Sequence, residues 1–289
     1  MFITLRTTVR SYFVGIGQIM LQENAITGLL FLIGIFYNSV IMGITIFFAT
    51  IIGTSTAKLL KYDVNNINKG LYGFNAALVG IAGIVFLKIK ILSISILIIA
   101  CVLSTILHNF FIKKKLPVYT LSFVTVTYSI IFFIKTFTPN LLILNEGISP
   151  ANNLNFDYIF KGFGQVIFQE NAVSGIVFFI AIFINSPIAA IYAITFSALS
   201  GLIAISLSIP LNLVNAGLFS YNALLCAIAF ANSKLITIFW VLLASSFSLI
   251  FSLLMNQLQI IQLTLPFVLA CFIVSTLKNR KLINRQSLN

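Results

Sequence analysis

Gln18 and Gln165 stand 147 positions apart inside apolar runs, each followed at the same spacing by an acid and an asparagine, Glu23 with Asn24 and Glu170 with Asn171. A glutamine side chain offers one carbonyl acceptor and one NH₂ donor, a pairing suited to a small neutral amide. Thr120 and Thr264 form a second matched pair, in the strings TLSF and TLPF. Pro117 and Pro266 beside them remove donors and disfavour helix before them. Hydroxyls next to carbonyls freed in this way would make a short line of acceptors. Phe74 with Leu78, and Tyr221 with Leu225, are i, i+4 pairs at equivalent places, joined by Leu21 and Phe168 from the glutamine motifs. Residues so spaced share a helix face and would form two flat apolar slots.

Each of these readings has an ordinary competitor. The glutamines can bridge backbone left open at a helix break, a threonine can bond back onto its own helix, and aromatic side chains pack cores. What raises them is recurrence in pairs. Asn24 and Asn171 are read as caps of the helices that follow them. Glu23 and Glu170 are the only acids within the repeated apolar units, and a carboxylate at membrane depth is a functional hypothesis by default. Each opens a helix, where the dipole favours a negative charge, so cap or pore vestibule ranks ahead of proton coupling. His108 is read as an interfacial histidine without a role. Cys101, Cys226 and Cys271 lie in apolar stretches with no CxxC spacing, so no disulfide framework, metal site or cofactor is expected. With no Ser/His/Asp grouping and no P-loop, the chain does not read as an enzyme.

The elements that position these residues occur twice. Residues 15–39 and 162–186 are identical at 14 of 25 positions, and INKGLYGFNAALVGIA (67–82) recurs as VNAGLFSYNALLCAIA (214–229). Sixty per cent hydrophobic residues, 8% charged, leave too little polar surface to coat a soluble globule of 289 residues. The chain is therefore expected in a membrane, multi-pass, and the absence of alternating apolar-out, polar-in decads argues against a β-barrel. Residues 1–20 lack an A-x-A-like cleavage site and run into repeated sequence, so no removable signal peptide is read.

Apolar segments fall near 25–38, 40–60, 70–88, 91–112 and 117–137 after an amphipathic stretch near 3–20. The second half follows with 172–185, 187–207, 214–232, 236–255 and 260–277 after a stretch near 157–168. The reading is thus a first repeat over 1–140, a polar linker over 141–156 that includes Glu146 and Gly147, and a second repeat over 157–289. The net charge of +12 comes from Lys and Arg placed singly at the ends of apolar runs, which makes them topology markers and not a nucleic-acid surface. With both termini in the cytoplasm, thirteen fall inside, including Arg6, Lys281 and Arg285, and four outside, namely Lys88, Lys90, Lys135 and Lys161. That satisfies the positive-inside rule. The fold class expected is all-α integral membrane, an inverted 5+5 repeat with a pore within the protomer. The stretch ending in GxGQ in each half is too interrupted to cross fully and is read as a re-entrant half-helix, which survives only against protein or a wet cavity.

On these residues the chain resembles the urea transporter family: GxGQ followed by the Asn-containing turn and [ST]G, the GLYGFN-x-x-LVG string, and T-L-x-F, in that order in both halves. The resemblance covers nearly the whole chain. It implies ten spanning segments with two re-entrant helices, a homotrimer in the cell membrane, and channel-like facilitated diffusion of urea. It also implies that Gln18, Gln165, Thr120 and Thr264 line a ladder of oxygens between slots made by Leu21, Phe74, Leu78, Phe168, Tyr221 and Leu225. The chain departs from the family at Glu23-Asn24-Ala25 and Glu170-Asn171-Ala172, where many members have Asn-Asn-Pro, at Ser122, where proline is common, and at Leu21 and Tyr221, which replace Phe. An ammonium channel would want pore histidines and an aquaporin two NPA boxes; a proton-coupled transporter of a small neutral solute stays open through Glu23 and Glu170.

Overall fold

Long apolar runs with few charges become helices because a helix satisfies its own backbone groups where water is absent. The computed structural model describes residues 2–117, 119–143 and 149–286. Glu146 and Gly147 of the expected linker, and the side chains of Arg6, Lys281 and Arg285, lie outside the described residues. In the first half the helices are α1 (Phe2–Gly17), carried on by a 3₁₀ turn Gln18–Met20, α2 (Ala25–Asn38), α3 (Val40–Leu59), α4 (Val64–Asn68), α5 (Phe74–Phe86), α6 (Ile91–Lys113) and α7 (Leu121–Phe137). The second half has α8 (Tyr158–Gln165), α9 (Ala172–Asn185), α10 (Pro187–Ser206), α11 (Leu211–Asn215), α12 (Tyr221–Phe230), α13 (Ile236–Gln257) and α14 (Leu265–Gln286). Among the described residues there is no strand, only an isolated bridge between Leu87 and Leu142.

The duplication read from the sequence is reproduced in the backbone. Shifting α2, α3 and α4 by 147 residues lands on α9, α10 and α11 at both ends. The breaks are made twice by the same means. Left-handed φ values pair off as Leu21 (60°) with Phe168 (56°), Lys61 (53°) with Ser208 (61°), Lys115 (53°) with Gln259 (55°), and Tyr119 (43°) with Leu263 (44°). For a residue with a Cβ this conformation costs on the order of 1–3 kcal/mol, so it persists only where surrounding contacts over-determine it. Gly70 and Gly217 complete the set at 73° and 79°, and there glycine is needed twice over. A Cβ on either would also come within 2.5 or 2.6 Å of the backbone nitrogen of Gly15 or Gly162.

Among the described residues four helices, α3, α6, α10 and α13, are long and apolar enough to cross a membrane, with mean hydropathy 1.9 to 2.5. The protein is a membrane protein. Several expected spans are shorter apolar helices, and the single segments expected over 70–88 and 214–232 include only α5 and α12, of 13 and 10 residues. These extend roughly 20 and 15 Å against a hydrocarbon core of about 30 Å. The turns at Gly70 and Gly217, which follow the short α4 and α11, take up the start of each segment. At the other break, Thr7–Met20 and Ala25–Asn38 meet at 74°.

The largest buried apolar cluster draws on both halves. At its centre α2 packs on α9, with Phe31 edge-on to Phe178, its own counterpart at the 147-residue shift, at 5.1 Å. The linker docks through Asn215, whose Oδ1 accepts from the Asn155 N–H at 2.9 Å while its Nδ2 donates to the Asn153 carbonyl at 2.8 Å.

Candidate functional site

The two glutamines sit where helix gives way to left-handed backbone. After the turn Gln18–Met20, the chain reverses at Leu21 and the Gln22 N–H returns to the Gly17 carbonyl at 3.1 Å. Gln18 Nε2 donates to the Lys69 carbonyl at 2.8 Å, and Gln165 Nε2 donates to the Ala216 carbonyl at 2.9 Å. Lys69 and Ala216 are equivalent positions, each next to the glycine of the reversing turn. Both side chains are 8% exposed. The NH₂ groups therefore do bridge backbone left open at a break, which fixes which end of each amide is nitrogen. No residue among those described donates to either Oε1, so the carbonyl is the end left available as an acceptor. In the second half Gln165 Nε2 also lies 3.5 Å from Glu170 Oε1.

Thr120 and Thr264 meet. Their hydroxyl oxygens are 2.7 Å apart, one donating to the other, and the residues are 2% and 3% exposed. Thr120 is positioned to cap α7 but makes no side-chain bond to its own helix. Among the described residues, unwinding before α7 is present over 114–117 and 119–120. Pro266, in contrast, lies inside the first turn of α14, where a missing N–H costs nothing, so the break there rests on Gln259 and Leu263.

Two residues that the sequence reading did not single out hold these breaks in place. Asn75 donates to the Tyr119 carbonyl (3.4 Å) and accepts from the Phe123 N–H (3.1 Å). Asn222 does the same with the Leu263 carbonyl (3.2 Å) and the Phe267 N–H (3.2 Å). Each buried amide thus satisfies one carbonyl and one N–H that the interrupted helix cannot. The signal was present: an asparagine at the same place in both copies of an otherwise apolar segment.

The slot residues share the main apolar cluster, Phe74, Leu78, Tyr221 and Leu225 within it and Leu21 and Phe168 half-buried at its margin. Phe168 reaches into the first half, with ring contacts to Phe86 at 6.0 Å and Phe123 at 6.4 Å. Tyr221 is not purely a wall, since its hydroxyl donates to the Leu263 carbonyl. His108 requires a correction. It is no exposed interfacial side chain but 5% exposed, edge-on to Phe74 at 5.1 Å, with Nδ1 3.2 Å from Ser122 Oγ. Sequence position near a helix end hid this, because α7 returns over that end.

Asn24 caps α2, its Oδ1 accepting from the N–H groups of Ile26 (2.8 Å) and Thr27 (3.1 Å); Asn171 caps α9 through Val173 (2.8 Å) and Ser174 (3.3 Å). Glu23 and Glu170 precede the caps, are exposed, and do not perform the capping. Gln22 and Gln169 were also missed. Asn185 Nδ2 donates to Gln22 Oε1 at 2.8 Å, and Asn38 Nδ2 donates to Gln169 Oε1 at 2.7 Å.

These bonds exchange reciprocally between the halves. Thr27 Oγ1 donates to the Ala181 carbonyl (3.1 Å), and the equivalents of both residues, Ser174 and Gly34, repeat the bond at 2.8 Å. Moving forward along α2 moves backward along α9, so the two helices pack antiparallel. Among the described residues no three His, Cys, Asp or Glu side chains gather as metal ligands, and the buried donor set of amides, hydroxyls and carbonyls suits neutral hydrogen-bonding solutes.

The family model described as UT, urea transporter, matches residues 9–279. Urea transporter 1 of Rattus norvegicus is 32% identical over 232 residues, covering 74% of this chain and 60% of that protein, and Urea transporter 1 of Mus musculus gives the same figures. Urea transporter 1 of Ovis aries is 29% identical over 232 residues with the same coverage. The chain thus spans 60% of the length of these curated relatives.

Proposed function

This chain belongs to the urea transporter family, and we propose that it conducts urea by channel-like, downhill diffusion between two inverted halves, residues 1–140 and 157–289. The observation that carries the reading is the meeting of Thr120 and Thr264, one from each half, at 2.7 Å. Matched oxygens that converge across the seam between repeats are what a shared passage requires. The reciprocal bonds of α2 and α9 and their antiparallel packing support the inverted arrangement, because reciprocity is the mark of a two-fold relation. Thirteen of the Lys and Arg positions then lie inside and four outside, which supports cytoplasmic termini in a cell membrane. The GxGQ stretches act as re-entrant half-helices, and by resemblance to the family the assembly is a homotrimer with one passage per chain.

Urea is planar and uncharged, with N–H donors all round, and loses water contacts on entering a narrow site. Gln18 and Gln165, each held by its NH₂ on a backbone carbonyl, present acceptor oxygens at fixed places, and the threonine pair provides the next ones. A urea N–H that displaces the Thr120–Thr264 bond exchanges one hydrogen bond for another, so little net energy is lost in transit. Leu21, Phe74, Leu78, Phe168, Tyr221 and Leu225 give apolar walls that admit a flat molecule and offer ions no substitute for hydration. Glu23 and Glu170 stand at the vestibules.

A proton-coupled reading has one observation in its favour, the approach of Gln165 to Glu170 at 3.5 Å. Both glutamates are exposed, however, and the oxygen pairs contain no acid. Stopped-flow flux into proteoliposomes separates the readings. Urea is expected to enter down its own gradient, ahead of thiourea and glycerol and without an imposed pH difference; urea entry only with a proton gradient would overturn the channel.

A further inference from the structure

The two copies differ most where they face away from each other. In the first half Gly53 of α3 lies against both the α5 segment and α6: a Cβ there would lie 2.6 Å from Ala76 Cβ and the Tyr72 carbonyl, and 3.0 Å from Thr105 Oγ1 on α6. In the second half Ser200 stands in place of Gly53 and Leu249 in place of Thr105. Two larger side chains hold α10 and α13 apart. Between them lies a cavity of about 250 Å³ lined by residues of α10, Leu207 at its end and α13, among them Leu199 and Ile203 on one wall and Leu242 and Leu249 on the other.

We propose that this groove is a binding site for an acyl chain of a membrane phospholipid. Two of its three serines already bond their own protein: Ser200 Oγ donates to the Phe196 carbonyl at 2.6 Å and Ser245 Oγ to the Ala223 carbonyl at 3.1 Å, which leaves the exposed Ser246 as the one hydroxyl at its edge. A polar solute would find little to bond, whereas hydrocarbon loses nothing. An apolar cavity of about 150 Å³ stays dry and takes a benzene-sized guest, so this volume admits a longer chain. Length agrees as well. From Phe196 to Leu207, just past the end of α10, the groove follows roughly 16 Å of helix, close to the ~15 Å depth of one leaflet. At that end the turns 207–213 and 256–262 carry no charged residue, so nothing at the mouth repels a chain that enters from the interface. Leu199, Ile203, Leu207 and Leu242 are exposed, which leaves the groove open sideways.

The test is native mass spectrometry of the full chain, extracted from its membrane in mild detergent, with phospholipids counted per chain. Ser246→Phe fills the groove from α13, and Leu199→Trp fills it from α10, so one serves if the other fails to fold. The wild type is expected to retain one more phospholipid per chain than either variant, with oligomer size and urea flux unchanged. Equal lipid counts in a folded, filled variant would overturn the site. So would loss of the oligomer at an unchanged lipid count, which would make the groove a contact between copies of this chain.

Discussion

At the seam between the two halves each copy mirrors the other, whereas in the interior of each half they have parted. Asn75 and Asn222 make the same two bonds, Gln18 and Gln165 seek equivalent carbonyls, and Thr120 bonds its own counterpart. Away from the seam, the first half is polar and close-packed. Tyr72 donates to Asn109 at 2.9 Å and His108 faces Ser122, whereas Phe219 and Leu253 replace Tyr72 and Asn109, and Ser252 replaces His108. The lesson is that a residue at a shared seam is constrained by both copies at once. A residue packed within one copy answers only to its own half.

The largest expected effect tests the symmetric part. Asn75→Leu strands the Phe123 N–H and the Tyr119 carbonyl, and Asn222→Leu strands Phe267 and Leu263; each is expected to destabilise by about 2–5 kcal/mol, since an unsatisfied buried group costs ~1–3 kcal/mol. Thermal unfolding in detergent checks this, and a large effect in one half alone would break the symmetry argument. Next comes Gly53→Ser, which imports the second half's residue into the first. Overpacking of a tight contact is expected to cost about 1–3 kcal/mol, while the reverse exchange, Ser200→Gly, should change stability by less than about 1 kcal/mol. Equal costs would mean that the two helix pairs are not packed differently.

Smaller again are effects on flux. Thr120→Val and Thr264→Val are each expected to slow urea entry about 3–10-fold, the scale of one hydrogen bond. Because the two hydroxyls share one bond, the double variant should be little worse than either single one; fully multiplicative losses in stopped flow would show that they act separately. The finest discrimination concerns the glutamines. Gln18→Leu and Gln165→Leu should each lower urea flux by about 2–10-fold through loss of an acceptor. A drop confined to Gln165→Leu would favour the pairing of Gln165 with Glu170 over a symmetric ladder.

Much of the scaffold was legible because it rests on local properties. The ends of α2, α3, α9 and α10 coincide with expected segments to within a residue, since apolar length and polar punctuation act at short range. The breaks at 18–24 and on either side of Pro117 and Thr120 followed from glycine, proline and the distance a charged end can lie from the midplane. Legibility failed where a partner came from far along the chain. His108 looked interfacial by position, yet α7 covers it. The segment at 70–88 looked continuous because the turn at Gly70 carries Leu71 and Tyr72 and reads as apolar as the start of a span. Asn75 was visible only as a repeated letter until Tyr119 and Phe123 were found on either side of its amide.

By itself, the sequence determined a duplicated, membrane-embedded helical chain, the position of its interruptions and the pairs of residues that recur at them. These depend on composition, period and repetition along one dimension. Only the tertiary structure decided that the glutamine NH₂ groups bond backbone while their carbonyls remain available, that Thr120 finds Thr264, and that α10 stands off from α13 while α3 touches α6. Such outcomes turn on which groups approach within about 3 Å through space, where hydrogen bonding and steric contact are decided, and a linear pattern carries no measure of that distance.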